Sequence, residues 1–173
     1  MIKVFGKYLG LIAVILIGIF LIFAIFQTGL YSSHDGIFHI YRTEEALSML
    51  KLGQLPLRWA GNFDQGFGIP LFTFVYPLPY YITAVLSYIV GSIWSVKSLF
   101  IVSYLLGGVG MYQLFIKKDR LKAITLALIY LMTPYQFLNI FVRGAIGEVL
   151  ALGLIPWVLV SFHDLWSSKT SII

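Results

Sequence analysis

The sequence predicts an all-α, polytopic membrane protein of about four transmembrane helices, with juxtamembrane helices in a first external loop. Three observations predict it. Hydrophobic residues make up 60% of the 173 and charged residues 11%, with a mean hydropathy of +0.92. A soluble chain runs at about 45–50% apolar and about 25% charged. Uncharged apolar runs reach spanning length. The charges fall between those runs rather than along a water-facing surface. This excludes a soluble enzyme, a nucleic-acid binder and a disordered tail. The net charge of +5 is then a sign of positive-inside topology rather than of a nucleic-acid partner. With no cysteine there is no disulfide framework, thiolate nucleophile or thiolate metal site.

The first run, 8–26, is uncharged and rich in Leu, Ile, Val and Phe. About 20 such residues cross a hydrocarbon core of about 30 Å. Lys3 and Lys7 precede it, which places the N-terminus in the cytoplasm. A secretory signal peptide is the alternative. Its apolar region is shorter and ends at small residues, a poor match to Phe26-Gln27-Thr28-Gly29.

Residues 27–95 form the external loop. Its polar part carries His34, Asp35, His39, Arg42, Glu44, Glu45, Lys51, Arg58 and Asp64. A helix is expected from Asp35 to Leu52, capped by Ser33 or Asp35, with Gly53 and Pro56 beyond its end. Phe38, Tyr41, Met49 and Leu52 fall on one side, suited to a membrane surface. Asp35, His39 and Arg42 are spaced i, i+4, i+7 and share another face. Glu44 and Glu45 are expected to face water. Gly61 to Gly68 is a glycine-rich loop without the Gly-Lys-Ser/Thr ending of a phosphate cradle. Its Asp64 reads as a solvated turn or as a ligand contact.

The run 70–94 is long enough to span, but Pro77 and Pro79 interrupt it and Phe72, Phe74, Tyr76, Tyr80, Tyr81, Tyr88 and Trp94 crowd it, an interfacial mix. Further runs are 96–116, 123–138 (shortened by Pro134) and 149–162. If 70–94 spans, the cytoplasmic cations are Lys3, Lys7, Lys97 and Arg143, against eight outside. If it lies at the outer interface, they are Lys3, Lys7, Lys117, Lys118, Arg120, Lys122 and Lys169, against five outside. The positive-inside rule favours the second layout. Only that layout brings Asp35, His39, Arg143 and Glu148 to one face. Lys117 to Lys122 then acts as a topology determinant that meets anionic lipid. Small-residue spacings at Gly6/Gly10, Ser103/Gly107 and Gly147/Ala151 suit close helix approach.

A resemblance emerges along the chain. The loop opens with Ser-His-Asp-Gly-Ile-Phe-His (33–39) and continues through Gly53-Gln54-Leu55-Pro56-Leu57-Arg58-Trp59, Gly66-Phe67-Gly68-Ile69-Pro70 and Tyr76-Pro77-Leu78-Pro79-Tyr80-Tyr81. Phe-Val-Arg-Gly-Ala-Ile-Gly-Glu closes the stretch from Tyr135 to Glu148. The series resembles the GT-C superfamily of membrane glycosyltransferases. Within it, the chain looks most like the bacterial membrane proteins called 6-pyruvoyl-tetrahydropterin synthase-related, relatives of the YfhO-like proteins. The resemblance implies a bacterial-type cytoplasmic membrane and a sugar taken from a polyprenyl-phosphate donor at its outer face. It also implies an acidic residue at work in the first external loop, where Asp35 stands. A second acid in the next external loop matches Glu148. In some branches such acids hold a divalent cation. GT-C enzymes are several times longer, so the resemblance also implies that the reading frame continues past Ile173.

Transfer from a lipid phosphate needs a base for the acceptor hydroxyl and a cation for the leaving phosphate. Asp35 suits the base; its bland alternative is a helix cap. Arg42, Arg58 and Arg143 suit the phosphate. His39 reads as an assisting base or as a hydrogen-bonded packing residue. Glu148 reads as a supporting catalytic acid or as the ion-pair partner of Arg143. Tyr80 and Tyr81 suit a prenyl or sugar groove, or an interfacial belt. Asp35 with Glu148 supplies at most part of a divalent cation's oxygen shell. The competing reading is a non-catalytic scaffold, an assembly subunit or a transporter-like protein. A transporter carries polar or broken helices at the bilayer midplane, whereas the polar groups here gather outside.

Overall fold

The structure is a computed structural model. It describes residues 2–170, with side chains from 6 to 167, so the side chains of Lys3 and Lys169 lie outside the described set. The described residues are helical apart from turns, loops and a two-residue bridge between Ala60 and Ile69. Helix α1 is Ile2–Leu21, followed by a 3-10 turn at Phe23–Phe26. Helix α2 is Gly36–Lys51, with Asp35 at its N-terminus and Gly53 at φ 74° just past its end. A single turn, α3, covers Leu71–Phe74. Helix α4, Leu78–Val90, starts behind Pro77 and ends at Gly91, whose φ of 80° turns the chain into α5, Ser92–Ile116. Helix α6, Arg120–Leu131, is capped by Asp119, whose carboxylate accepts from Lys122 N at 2.7 Å. Pro134 opens the short α7, Pro134–Phe137, which runs into a π-helical segment, Leu138–Arg143. Helix α8 is Ile146–Thr170 and continues through Pro156.

By length and composition, Ser92–Ile116 and Ile146–Ser167 are long and apolar enough to cross a membrane. Arg120–Leu131 and Pro134–Arg143 make a third candidate only if the pair, bent by 44°, is one broken span. Gly6–Leu21 and Leu78–Val90 are shorter apolar helices. The expected run 8–26 is divided because its helix stops at Leu21. The expected run 123–138 is divided because Pro134 has no N–H to continue α6.

Helix α5 is the centre of the bundle, packed against α1, α4, α6 and α8. Tyr112 on α5 donates to the carbonyl of Lys7 at 2.6 Å, and Lys97 Nζ donates to that of Gln27 at 2.6 Å. Helices α1 and α5 are therefore antiparallel. Lys7 and Lys117 lie at one end of the bundle, Gln27 and Lys97 at the other. Tyr104 donates to Leu131 O, Tyr130 to Leu152 O and Trp157 Nε1 to Leu106 O. In lipid, where no water is at hand, a tyrosine or tryptophan donor is satisfied best by a neighbouring helix carbonyl. Lys117 pairs with Asp164 at 2.7 Å, which brings the far part of α8 to the Lys7 end. Val14, Ile22, Phe100, Tyr104, Leu131 and Ile146 form the bundle core. A second core, of Ala46, Met49, Leu57, Ala60, Phe72, Tyr80 and Ala84, joins α2 to α4 beneath the loop 53–70. It clamps α2 at the Gln27–Lys97 end, beside the α7–α8 junction.

Candidate functional site

The segment before α2 docks on the junction before α8. His34 N donates to Val142 O and Asp35 N to Arg143 O, both at 2.9 Å. Gly144 makes this contact possible. Its φ is 69°, and a Cβ there would stand 2.8 Å from Ser33 Oγ and 3.0 Å from Gly36 N. A side chain at 144 would face both backbone strain and a collision with the Asp35 turn. Asp35 itself is exposed and its carboxylate makes no capping bond. The helix-cap alternative is therefore not what its side chain does.

His39, one turn into α2, locks the two segments together. It is 1% exposed. Nε2 lies 2.6 Å from Gly144 O and Nδ1 lies 2.9 Å from Tyr80 OH. A carbonyl only accepts, so Nε2 carries the proton and Nδ1 accepts from the tyrosine. Tyr80 O in turn accepts from Arg42 Nη1 at 3.1 Å. Burial lowers the His39 pKa to about 4, against the raising effect of the Gly144 carbonyl. The unfolded chain takes up this proton near pH 6.5, while the folded chain resists until about 4. Stability is therefore constant above 6.5 on this account and falls as pH drops through that window, by about 3 kcal/mol in all. Thermal melting of the purified chain against pH should show the fall. A His39→Gln chain should lack this component; an equally steep acid loss there would assign it to other groups.

Arg143 and Glu148 form a bidentate pair, with Nη2 to Oε1 at 2.5 Å and Nη1 to Oε2 at 2.7 Å. Tyr135 OH also donates to Oε2 at 2.5 Å, and Arg143 Nη1 reaches Asn139 Oδ1 at 2.7 Å. The pair is half-exposed. A π-helical segment holds this geometry, and such segments recur at functional sites. On the two segments that meet here, Tyr31 OH, Ser33 Oγ, Gln136 Oε1 and Asn139 Nδ2 are buried with no hydrogen-bond partner among the described residues. Buried orphans of this kind are uncommon in a native structure, where such groups usually find a protein or water partner.

Other expectations need correction. Tyr80, read as lining a substrate groove, is fully buried with its hydroxyl engaged. Tyr81 OH accepts from Leu57 N at 2.8 Å and pins the loop. The open apolar groove nearby belongs to Tyr76, with Leu78, Pro79, Gly147, Leu150 and Leu154, and has a volume of about 280 Å³. Gly147 admits the Tyr76 ring, which a Cβ would strike at 2.6 Å. Arg58 is exposed, and its carbonyl accepts from Phe72 N; no hydrogen bond among the described residues joins it to the Asp35 turn. Glu45, expected to face water, is 4% exposed and accepts from Asn62 N and Nδ2. Glu44 is exposed. Asp64 and Gln65 both take left-handed conformations in the glycine-rich loop. A divalent cation shared by Asp35 and Glu148 does not fit. Both Glu148 oxygens are held by Arg143 and Tyr135, and no group of three His, Asp or Glu able to hold a metal occurs among the described residues. Tyr76 is one of the Tyr76–Tyr81 aromatics read as a groove or an interfacial belt, and it does line the apolar groove; the sequence gives no role to Tyr135, Asn139 or Gly144 individually. Asn139 and Tyr135 stand one and two helical turns before Arg143, a spacing that marks them only after the fact.

A helical bundle with spanning helices and a polar junction at one end defines an integral membrane protein. The chain belongs to the 6-pyruvoyl-tetrahydropterin synthase-related family of membrane proteins, whose family model matches residues 72–173. No curated protein and no solved structure matches it.

Proposed function

We propose that this chain forms part of a GT-C-type membrane module, related to the YfhO-like proteins, that transfers a sugar from a polyprenyl-phosphate donor. In this reading the end with Asp35 is extracytoplasmic, α1, α5, the α6–α7 pair and α8 are the four crossings, and α4 lies at the outer interface. With 13 residues, α4 reaches only about 20 Å at about 1.5 Å per residue. The observation that carries the reading is the docking of the Asp35 turn on the Arg143–Gly144 backbone, beside a paired Arg143–Glu148 and an apolar groove. An uncapped, exposed carboxylate then stands at the membrane end where a lipid phosphate resides. Asp35 takes the proton of the acceptor hydroxyl, the acceptor oxygen bonds the anomeric carbon, and the bond from that carbon to the phosphate oxygen breaks. The leaving phosphate gains negative charge that Arg42 or Arg143 stabilises. Arg42 gives one of its five N–H donors to Tyr80, which leaves others for the ligand. Glu148 acts by orienting Arg143.

The scaffold reading rests on a specific observation as well: Arg143 and Glu148 satisfy each other, and both His39 nitrogens are engaged. Asp35→Asn separates the two readings. The carboxylate makes no capping bond, so the variant should melt like the parent. Sugar transfer from a polyprenyl-phosphate donor should fall by about 100-fold or more if Asp35 is the base. Measured in the full-length protein, unchanged transfer sinks the catalytic role, and no transfer by the full-length parent leaves the scaffold.

A further inference from the structure

The opposite end of the bundle carries a second polar feature, independent of the Asp35 junction. Lys7, Ile116, Lys117, Lys118, Asp119 and Arg120 line a cleft of about 480 Å³ between the start of α1 and the α5–α6 turn. Its two nearby carboxylates are engaged. Asp119 caps α6 through Lys122 N, and Asp164 holds Lys117. Among the described residues no carboxylate pairs with Lys7, Lys118 or Arg120. Arg120 is exposed but packs against the first helix. Its guanidinium lies across Gly6 of α1, where any Cβ would overlap Nη1. The first helix has thus left room for the arginine to close one side of the cleft.

The level of the cleft identifies its ligand. Helix α5 is long enough to cross the membrane, and the cleft sits directly at its end. There Tyr112, one turn earlier, ties Lys7 to the bundle. A cationic recess at the end of a membrane-crossing helix meets lipid headgroups rather than bulk solvent.

We propose that this cleft binds the phosphate of an anionic membrane lipid, with Lys7, Lys118 and Arg120 as its cationic walls. This differs from diffuse attraction of a polybasic turn. Lys122 belongs to the same run but does not line the cleft, so a diffuse field would weigh it like Arg120, whereas a bound headgroup would not.

The test is native mass spectrometry of the purified full chain in detergent, titrated with phosphatidylglycerol or with phosphatidylcholine. The parent should retain phosphatidylglycerol preferentially. Arg120→Gln and Lys118→Gln should each lower that retention about fivefold, the effect of one basic contact near a lipid surface. Lys122→Gln removes the same charge and should leave it within about twofold. Their exposed positions predict parental melting, which is measured alongside. Equal binding of the two lipids by the parent overturns the proposal, as does an equal loss in the Lys122 and Arg120 variants. Displacement of phosphatidylglycerol by inorganic phosphate overturns the lipid as ligand.

Discussion

Replacing Gly153 with leucine should separate α8 from α5 and cost about 3 kcal/mol or more, the upper range for forced overpacking. The two helices meet backbone to backbone. A Cβ on Gly153 would overlap the carbonyl oxygen of Ser103 and stand 3.0 Å from its carbonyl carbon. On the facing helix, a Cβ on Gly107 would lie 2.9 Å from the Tyr130 ring and 3.4 Å from Leu152 O, and one on Gly110 would lie 2.8 Å from Pro156. In lipid there is little hydrophobic drive to hold helices together, so van der Waals contact across small residues provides most of the association. The atoms struck from Gly153 are backbone, which cannot rotate away. Gly153→Ala should therefore also destabilise, by about 1–3 kcal/mol. Gly61 supplies the control: nothing lies within 4 Å of its would-be Cβ, and Gly61→Ala should melt close to the parent. Thermal unfolding of the three variants in detergent reads the order. If Gly153→Leu melts with Gly61→Ala, the close crossing does not hold the bundle.

That crossing shows what a sequence discloses in a membrane protein. Ser103 and Gly107 are legible as a small pair at helical spacing, and the structure places both against Leu152–Gly153. Gly6/Gly10 likewise faces neighbours, Arg120 for the first and Tyr112 and Ile124 for the second. The extent of α2 is legible because Ser33 or Asp35 marks its start and Gly53 and Pro56 follow its end: the expected helix is Asp35 to Leu52 and Gly36–Lys51 is found. The break after Leu131 is legible in Pro134, although the π-helical continuation is not. A proline announces a lost donor, but it does not announce the docking of Val142 and Arg143 on the Asp35 turn. No local pattern encodes that contact, which joins residues more than a hundred positions apart.

The site is legible in its ingredients and in one pair, Arg143 with Glu148, which the sequence offers as an alternative and the structure contains; the partners of His39 and Arg42 are not legible. Asp35, His39 and Arg42 share a helix face, as their spacing requires, and His39 and Arg42 do converge on one atom, Tyr80 OH. That atom comes from α4, a helix whose sequence reads as an interfacial belt. Glu45 was misread for a similar reason. A carboxylate beside Glu44 on a polar helix suggests water, yet the loop 53–70 folds back so that Asn62 covers it. Burial of a charged group depends on a partner that local periodicity does not see. Exposed apolar residues mislead in the opposite sense: Val158 and Phe162 lie outside the core on a helix long and apolar enough to cross a membrane, where lipid rather than protein is the expected cover.

His39→Leu should destabilise by about 3 kcal/mol, since it removes two buried hydrogen bonds and leaves Gly144 O without its donor. The loss would be local first. The histidine is the side chain that ties α2 to the Gly144 turn, so amide exchange at 33–36 and 142–146 should rise before the bundle melts. In the proposed reading sugar transfer should fall with it, because the Asp35 turn would no longer be held to Arg143. His39→Gln distinguishes a positioning residue from a base. The glutamine amide can still donate to the Gly144 carbonyl but cannot take up a proton at neutral pH. Partial rescue of both melting temperature and transfer by glutamine, with neither rescued by leucine, supports the positioning role. Loss of transfer in both variants at parental stability would instead make His39 a proton acceptor, against the geometry in which Nε2–H is already given to Gly144 and Nδ1 is already filled by Tyr80.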